Sequence, residues 1–354
     1  MKEKATRGQT EQSVRSLPIH VWPIADRAAW EEACRPSVRL KRGGAASHMR
    51  TVTQEMLTKR AGYFFDFLLR SGQLEMNAPA GAQVTPENVE AYVAELKDRV
   101  KSVTVYGSIQ KLRRFVQLVA PNRDLDWLIE IERQLFSEMR PASKWDRVLY
   151  TDVLEDAGVK LMAEAKSSTR PKLTRARLFR NGLMIALLAR CPIRLKNFAA
   201  LEIGHSFTNV EGTWWIVLTA AETKEKREDE RPVPEEFTSS VERYLKVYRP
   251  ILARGNDPGS ALWVAINGKP MSYASMGELI TEITTMALGV NVNPHLFRSA
   301  GVTTLATRAG DKPHAGGALL HHRPGPVTQE NYNRASCVTP GKSLRDVNRR
   351  YRRT

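Results

Sequence analysis

Residues 191–234 read CPIRLKNFAALEIGHSFTNVEGTWWIVLTAAETKEKREDERPVP. The stretch opens where an apolar helix, RARLFRNGLMIALLARCP (175–192), must stop at Pro192. Arg194 then sits where the Pro-containing turn enters a new helix. Behind it ALEIGHSF (200–207), TWWIVLTA (213–220) and DERPVPEEF (229–237) read as three short strands. They are rich in aromatic and β-branched residues and are separated by polar turns. Pro232 and Pro234 have no N–H to give to a ladder, so the third strand belongs at the sheet edge. The turn before it, AETKEKREDE (221–230), is densely charged.

On either side the periodicity is helical. Downstream, helices are expected over 235–253, 273–288 and 295–310. Upstream, TQEMLTKRAGYFFDFLLRSG places Met56, Tyr63, Phe64, Phe67 and Leu68 at helical spacing and stops at Gly72. TPENVEAYVAELKDRV has Thr85 as N-cap and Pro86 at the first helical position. VTVYGSIQKLRRFVQLVAP and DLDWLIEIERQLFSEMRP complete a four-helix set. RPASKWDRVLYT (140–151) reads as an interdomain linker, and RLKRGGAAS (39–47) as the end of a basic arm. The expected organisation is an irregular basic arm and linker over 1–47, a helical domain over 48–140, and a mixed α/β domain over 141–354 with a basic tail, KSLRDVNRRYRRT. The fold class is mainly α with a small antiparallel sheet.

The chain has 354 residues, with 54 Lys+Arg against 38 Asp+Glu and a formal charge of +16. That excess points to a polyanionic partner, nucleic acid before others. Lys101, Lys111, Arg113 and Arg114, around the third helix, are candidates to face phosphates. No apolar run of about 18 residues signals a membrane span, and the charged start has no apolar core of a secretory signal behind it. Cys34, Cys191 and Cys337 show no metal-ligand spacing, and a reducing cytoplasm is the simplest compartment.

Six residues in the second half carry chemistry. They are Arg194, Lys224 in the charged turn, His295 and Arg298 of HLFR, and His322 and Tyr332 of LLHHRPGPVTQENYNRAS (319–336). Singly, each has an ordinary explanation: a surface ion pair, a solvated turn, a half-buried phenol. Together they offer cationic groups and hydrogen-bond donors, with no acidic pair to hold Mg²⁺. Two guanidiniums neutralise the non-bridging oxygens of a phosphodiester transition state. A tyrosine attacks phosphorus, and lysine or histidine moves the protons. A metal site at His314, His321 and His322 is the rival, but no Cys or carboxylate stands at ligand spacing. No cofactor is expected.

The order Arg, Lys, His-x-x-Arg, His, Tyr over 194–332 resembles that of the tyrosine recombinases of the phage-integrase family. The resemblance spans about 48–335 and is densest over 185–335. It implies a helical, SAM-like core-binding domain and a catalytic domain closing as a C-shaped clamp on double-stranded DNA. It implies Arg194 and Arg298 as phosphate clamps, Lys224 as general acid for the 5′-hydroxyl, and His295 as proton acceptor or positioning donor. His322 would donate to the phosphate, and Tyr332 would form a 3′-phosphotyrosyl link. Strand exchange would pass through a Holliday junction in a homotetramer on two DNA sites, in a cytoplasmic, nucleoid-associated protein. Three departures stand out: His321 replaces the glycine of the family's Leu-Gly-His, Asn197 stands where an acid often braces the first arginine, and Lys226 competes with Lys224. Alternatives are a DNA-binding protein of this fold whose catalysis has decayed, and a type IB topoisomerase.

Overall fold

The computed structural model describes residues 15–308. Its chain divides into two compact units between Ala142 and Ser143.

In the first unit, helices α1 (Ile24–Cys34), α2 (Thr51–Arg70), α3 (Pro86–Arg99), α4 (Ser102–Val119) and α5 (Asp126–Ser137) enclose an aromatic core. α2 buries Leu57, Phe64, Phe65, Phe67 and Leu68 and leaves Met56 exposed. Thr85 caps α3 by accepting from the Asn88 N–H, with Pro86 at the first helical position.

The irregular arm expected up to residue 47 is corrected over its described part. Residues 24–34 are helical, and Trp22 and Trp30 lie in the core, 5.6 and 5.4 Å from the Phe115 ring. Both indoles are satisfied, Trp22 Nε1 by the Leu17 carbonyl at 2.8 Å and Trp30 Nε1 by Thr58 Oγ1 at 3.0 Å. The Gly/Ala/Ser stretch is packed too. Ala46 is fully buried, its N–H donates to the Ala33 carbonyl, and a Cβ at Gly44 would run into the Glu32 and Ala33 carbonyls. Local charge masks a segment whose large side chains are buried by partners far along the chain.

The second unit is built on α6 (Thr151–Ser167) and α7 (Lys172–Arg190). They meet at Gly158 and Gly182, where a Cβ on either would lie 2.5 Å from the other's carbonyl oxygen. The second half of α7, residues 182–189, is apolar all round and correspondingly central, and Phe179, Leu183, Met184, Leu187 and Leu188 are almost inaccessible. After the short α8 (Leu195–Ala199) come β1 (Phe207–Val210), β2 (Thr213–Leu218) and β3 (Asp229–Pro232). They form an antiparallel sheet in the order β1-β2-β3, in register Phe207↔Ile216 and Leu218↔Asp229. Phe207, Ile216 and Leu218 point into the core, and β3 is the edge its prolines require.

β1 starts where ALEIGHSF ends. Gly204 adopts φ +81°, and the N–H groups of His205 and Phe207 both donate to the Glu202 carbonyl, so the chain turns before entering the sheet. β3 likewise ends at Pro232, and Glu235–Phe237 is already a helical turn.

Residues 235–253 are helical as expected, with a wide turn at Tyr244–Tyr248 joining α9 (Thr238–Arg243) to α10 (Arg249–Ala253). Pro250 cannot donate to the preceding turn, which suits the widened register. α11 (Tyr273–Leu288) is capped by Ser272 and closed by Gly289 at φ +68°. α12 (Pro294–Arg308) starts on Asn293, whose Oδ1 accepts from the N–H groups of His295 and Leu296 at 3.1 and 3.2 Å. Among the described residues no helix is long and apolar enough to cross a membrane.

Candidate active site

Four candidate residues of the second unit come from three places in the chain: the start of α8, the β2–β3 turn and the start of α12. Arg194 is the N-cap of α8, at the end of the turn that Pro192 forces after α7. Ile193 and Phe198, 1% and 0% exposed, anchor that turn on both sides, so the backbone carrying Arg194 is held by packing. Arg298 lies one helical turn into α12 and is 6% exposed. Its Nη1 donates to the Pro192 carbonyl at 2.7 Å, across 106 residues of sequence. The two arginines are thereby tied to one loop.

Burial, then repulsion by Arg194 and Arg231, push the Arg298 guanidinium down to about 10, while Asp229 and Glu225 oppose that shift. Arg231 and Asp229, both of β3 and both 8% exposed, pair with each other at 2.6 and 2.9 Å. His295, at the start of α12, has its pKa held below the ordinary imidazole value. The causes are loss of solvent around the ring, then the positive charges of Lys144, Arg298 and Arg194. A neutral ring at physiological pH can accept a proton.

Lys224 projects from the turn between β2 and β3 and is exposed. The turn is anchored at Thr223, 7% exposed, whose Oγ1 donates to the Arg227 carbonyl at 2.6 Å and accepts from the Arg227 N–H at 3.0 Å. Lys226, in the same turn, adopts φ +53°. His322 and Tyr332 lie outside the described residues, as do His314, His321, Cys337 and the basic tail.

Four nearby residues escaped the reading of the sequence. Lys144, in the presumed linker, acts on His295. The Arg231–Asp229 pair was hidden in a strand, although its i, i+2 spacing puts both side chains on one face. Glu225 forms an ion pair with Arg194, with Nη2 and Oε1 2.6 Å apart. Its place directly after Lys224 was the available signal.

The cations of the first unit separate by helical face. Lys101 caps α4 and is exposed, as is Arg114. Lys111 is half-buried, donates to the Gly107 carbonyl at 3.1 Å, and has its pKa lowered by burial and by Arg60. Arg113 turns the other way and holds Glu132 of α5 at 2.5 and 3.3 Å, so its charge is engaged inside the unit. Lys59, Arg60 and Arg99, which the sequence reading did not single out, line a cleft with Tyr63 and Tyr92.

No protein-family model matches the chain, and no curated protein does. Solved structures match over most of its length. The XerH site-specific recombinase bound to difH substrate, a pre-cleavage complex, is 14% identical; the match covers 87% of this chain and 91% of that one, with a TM-score of 0.53. The post-cleavage complex of XerH with palindromic difH substrate is 15% identical over 79% of this chain and 75% of that one, with a TM-score of 0.51. A helical unit followed by a unit with a three-stranded antiparallel sheet, matched along nearly the whole of such a chain, gives this protein the fold of the tyrosine site-specific recombinases.

Proposed function

We propose that the chain is a site-specific DNA recombinase that breaks and rejoins strands through a protein–DNA ester. The observation that carries this reading is the Arg298–Pro192 hydrogen bond, which gathers Arg298 and Arg194 at one place in a fold shared with a DNA-bound recombinase. Two guanidiniums on one phosphate stabilise the charge that builds on its non-bridging oxygens. The Tyr332 phenol oxygen bonds to phosphorus as the bond from phosphorus to the 5′ oxygen breaks. The phenol proton passes to neutral His295 or to solvent, and Lys224 gives a proton to the departing 5′ oxygen. His322 donates to the phosphate. The 3′-phosphotyrosyl ester conserves the energy of the broken bond, so rejoining needs no nucleotide. The second unit is the catalytic domain, and the helical unit holds the duplex through exposed cations such as Lys101 and Arg114. Exchange of strands between two sites calls for four copies and a Holliday junction.

The test is covalent trapping. Wild-type protein and Tyr332→Phe are incubated with a pool of nicked suicide duplexes of randomised core sequence, and denaturing gels read the adduct. Wild type should form an adduct and Tyr332→Phe none, with duplex binding unchanged. An adduct that persists in Tyr332→Phe would refute the nucleophile, and binding without any adduct would leave a DNA-binding protein whose catalysis has decayed.

A further inference from the structure

Glu225 meets Arg194 along one edge of the guanidinium. Nη2 donates to Oε1 at 2.6 Å, and Nη1 lies 2.6 Å from Oε2. The second contact has the distance of a hydrogen bond without its angle, and Oε2 is a buried oxygen with no hydrogen bond among the described residues. The same carboxylate attracts the Arg298 guanidinium. One anion therefore pairs with Arg194 directly and adds its field at Arg298, the two arginines assigned above to the phosphate. Carboxylate and phosphate use a guanidinium edge in the same two-pronged way, so they compete for it.

We propose that Glu225 is a built-in phosphate surrogate, occupying on Arg194 the place of the scissile phosphate until DNA displaces it. The inference rests on the recombinase reading. A permanent brace would come from a rigid element with both carboxylate oxygens hydrogen-bonded. Glu225 instead comes from a turn whose other members, Lys224, Lys226, Arg227 and Glu228, are all exposed, and it has one good hydrogen bond. The two side chains keep 27% and 25% exposure, so the exchange does not require opening a sealed core. Because Glu225 follows Lys224 directly and the turn is pinned at Thr223 and Arg227, expelling the carboxylate also reorients Lys224. Phosphate entry and placement of the general acid become one event.

The experiment compares wild type, Glu225→Gln and Glu228→Gln. The last removes one exposed negative charge from the same turn without touching Arg194. Duplex affinity and the initial rate of adduct formation are measured at subsaturating suicide DNA. Trypsin cleavage after Lys224, Lys226 and Arg227 is followed without DNA. Glu225→Gln should bind and cleave about threefold to fivefold better than Glu228→Gln, the range expected for releasing a partly exposed ion pair. Its turn should also be cut faster than that of wild type. Equal gains in the two variants would overturn the proposal as a generic charge effect. Slower cleavage by Glu225→Gln with normal binding would overturn it in favour of a brace. An active wild type with an indifferent Glu225→Gln sinks the surrogate alone, whereas a wild type that neither binds nor cleaves sinks the recombinase reading and the surrogate with it.

Discussion

Asp26 is the most exposed to test of the residues that the sequence left inside an arm. It sits on α1, 1% exposed; Oδ1 accepts from the Gly81 N–H at 2.8 Å, and Oδ2 has no hydrogen bond among the described residues. Burial pushes its pKa from 3.8 up to about 6, against the opposing pulls of the Gly81 N–H and of Arg123. A raised carboxyl pKa means the folded state holds its proton more tightly than the unfolded state. Asp26 therefore costs nothing below the unfolded value. The cost grows as pH rises toward the folded value and is complete above it. A shift of roughly two units corresponds to about 3 kcal/mol, and between about pH 4.5 and pH 7.5 some 2 kcal/mol of that should develop. Asp26→Asn keeps an oxygen for Gly81 and removes the titration. It should stabilise the first unit by about 2 kcal/mol more at pH 7.5 than at pH 4.5. Urea-dependent hydrogen exchange, read by mass spectrometry on peptides of α1 and α4, isolates that unit. A gain of equal size at both pH values, or a loss at pH 7.5, would refute the buried-carboxylate reasoning.

Two further outcomes follow from the site and the helical unit. Arg113→Gln should destabilise the first unit by about 1–3 kcal/mol, since it leaves Glu132 poorly partnered, and should spare duplex affinity; Arg114→Gln should do the reverse and flatten the salt dependence of binding. Urea titration and binding isotherms at several salt concentrations separate the two. The pH–rate profile of adduct formation should lose its acidic limb below the ordinary histidine range, because His295 must be neutral to accept a proton and its pKa is lowered; an unchanged limb in His295→Gln would assign it to another group.

Periodicity sufficed wherever one element buries one face. Thr85, Pro86 and the apolar stripe of α2 announced two helices, and Pro232 announced the edge of the sheet. It misplaced β1, because ALEIGHSF has strand composition but Gly204 turns it. It also misread 15–47, because Trp22 and Trp30 find their partners at Phe65, Thr58 and Phe115, which no local window contains.

The candidate site divides along the same line. Residue types and their order, from Arg194 through His295 and Arg298 to Tyr332, are one-dimensional facts, and with the charge of +16 they suffice to suggest phosphodiester chemistry on DNA. That Arg298 is bonded to Pro192, that Arg113 is engaged by Glu132, and that Glu225 holds Arg194 are decided only by folding. The physical reason is that hydrogen bonds and ion pairs act over a few ångströms of space, while the residues that make them stand 19, 31 and 106 positions apart.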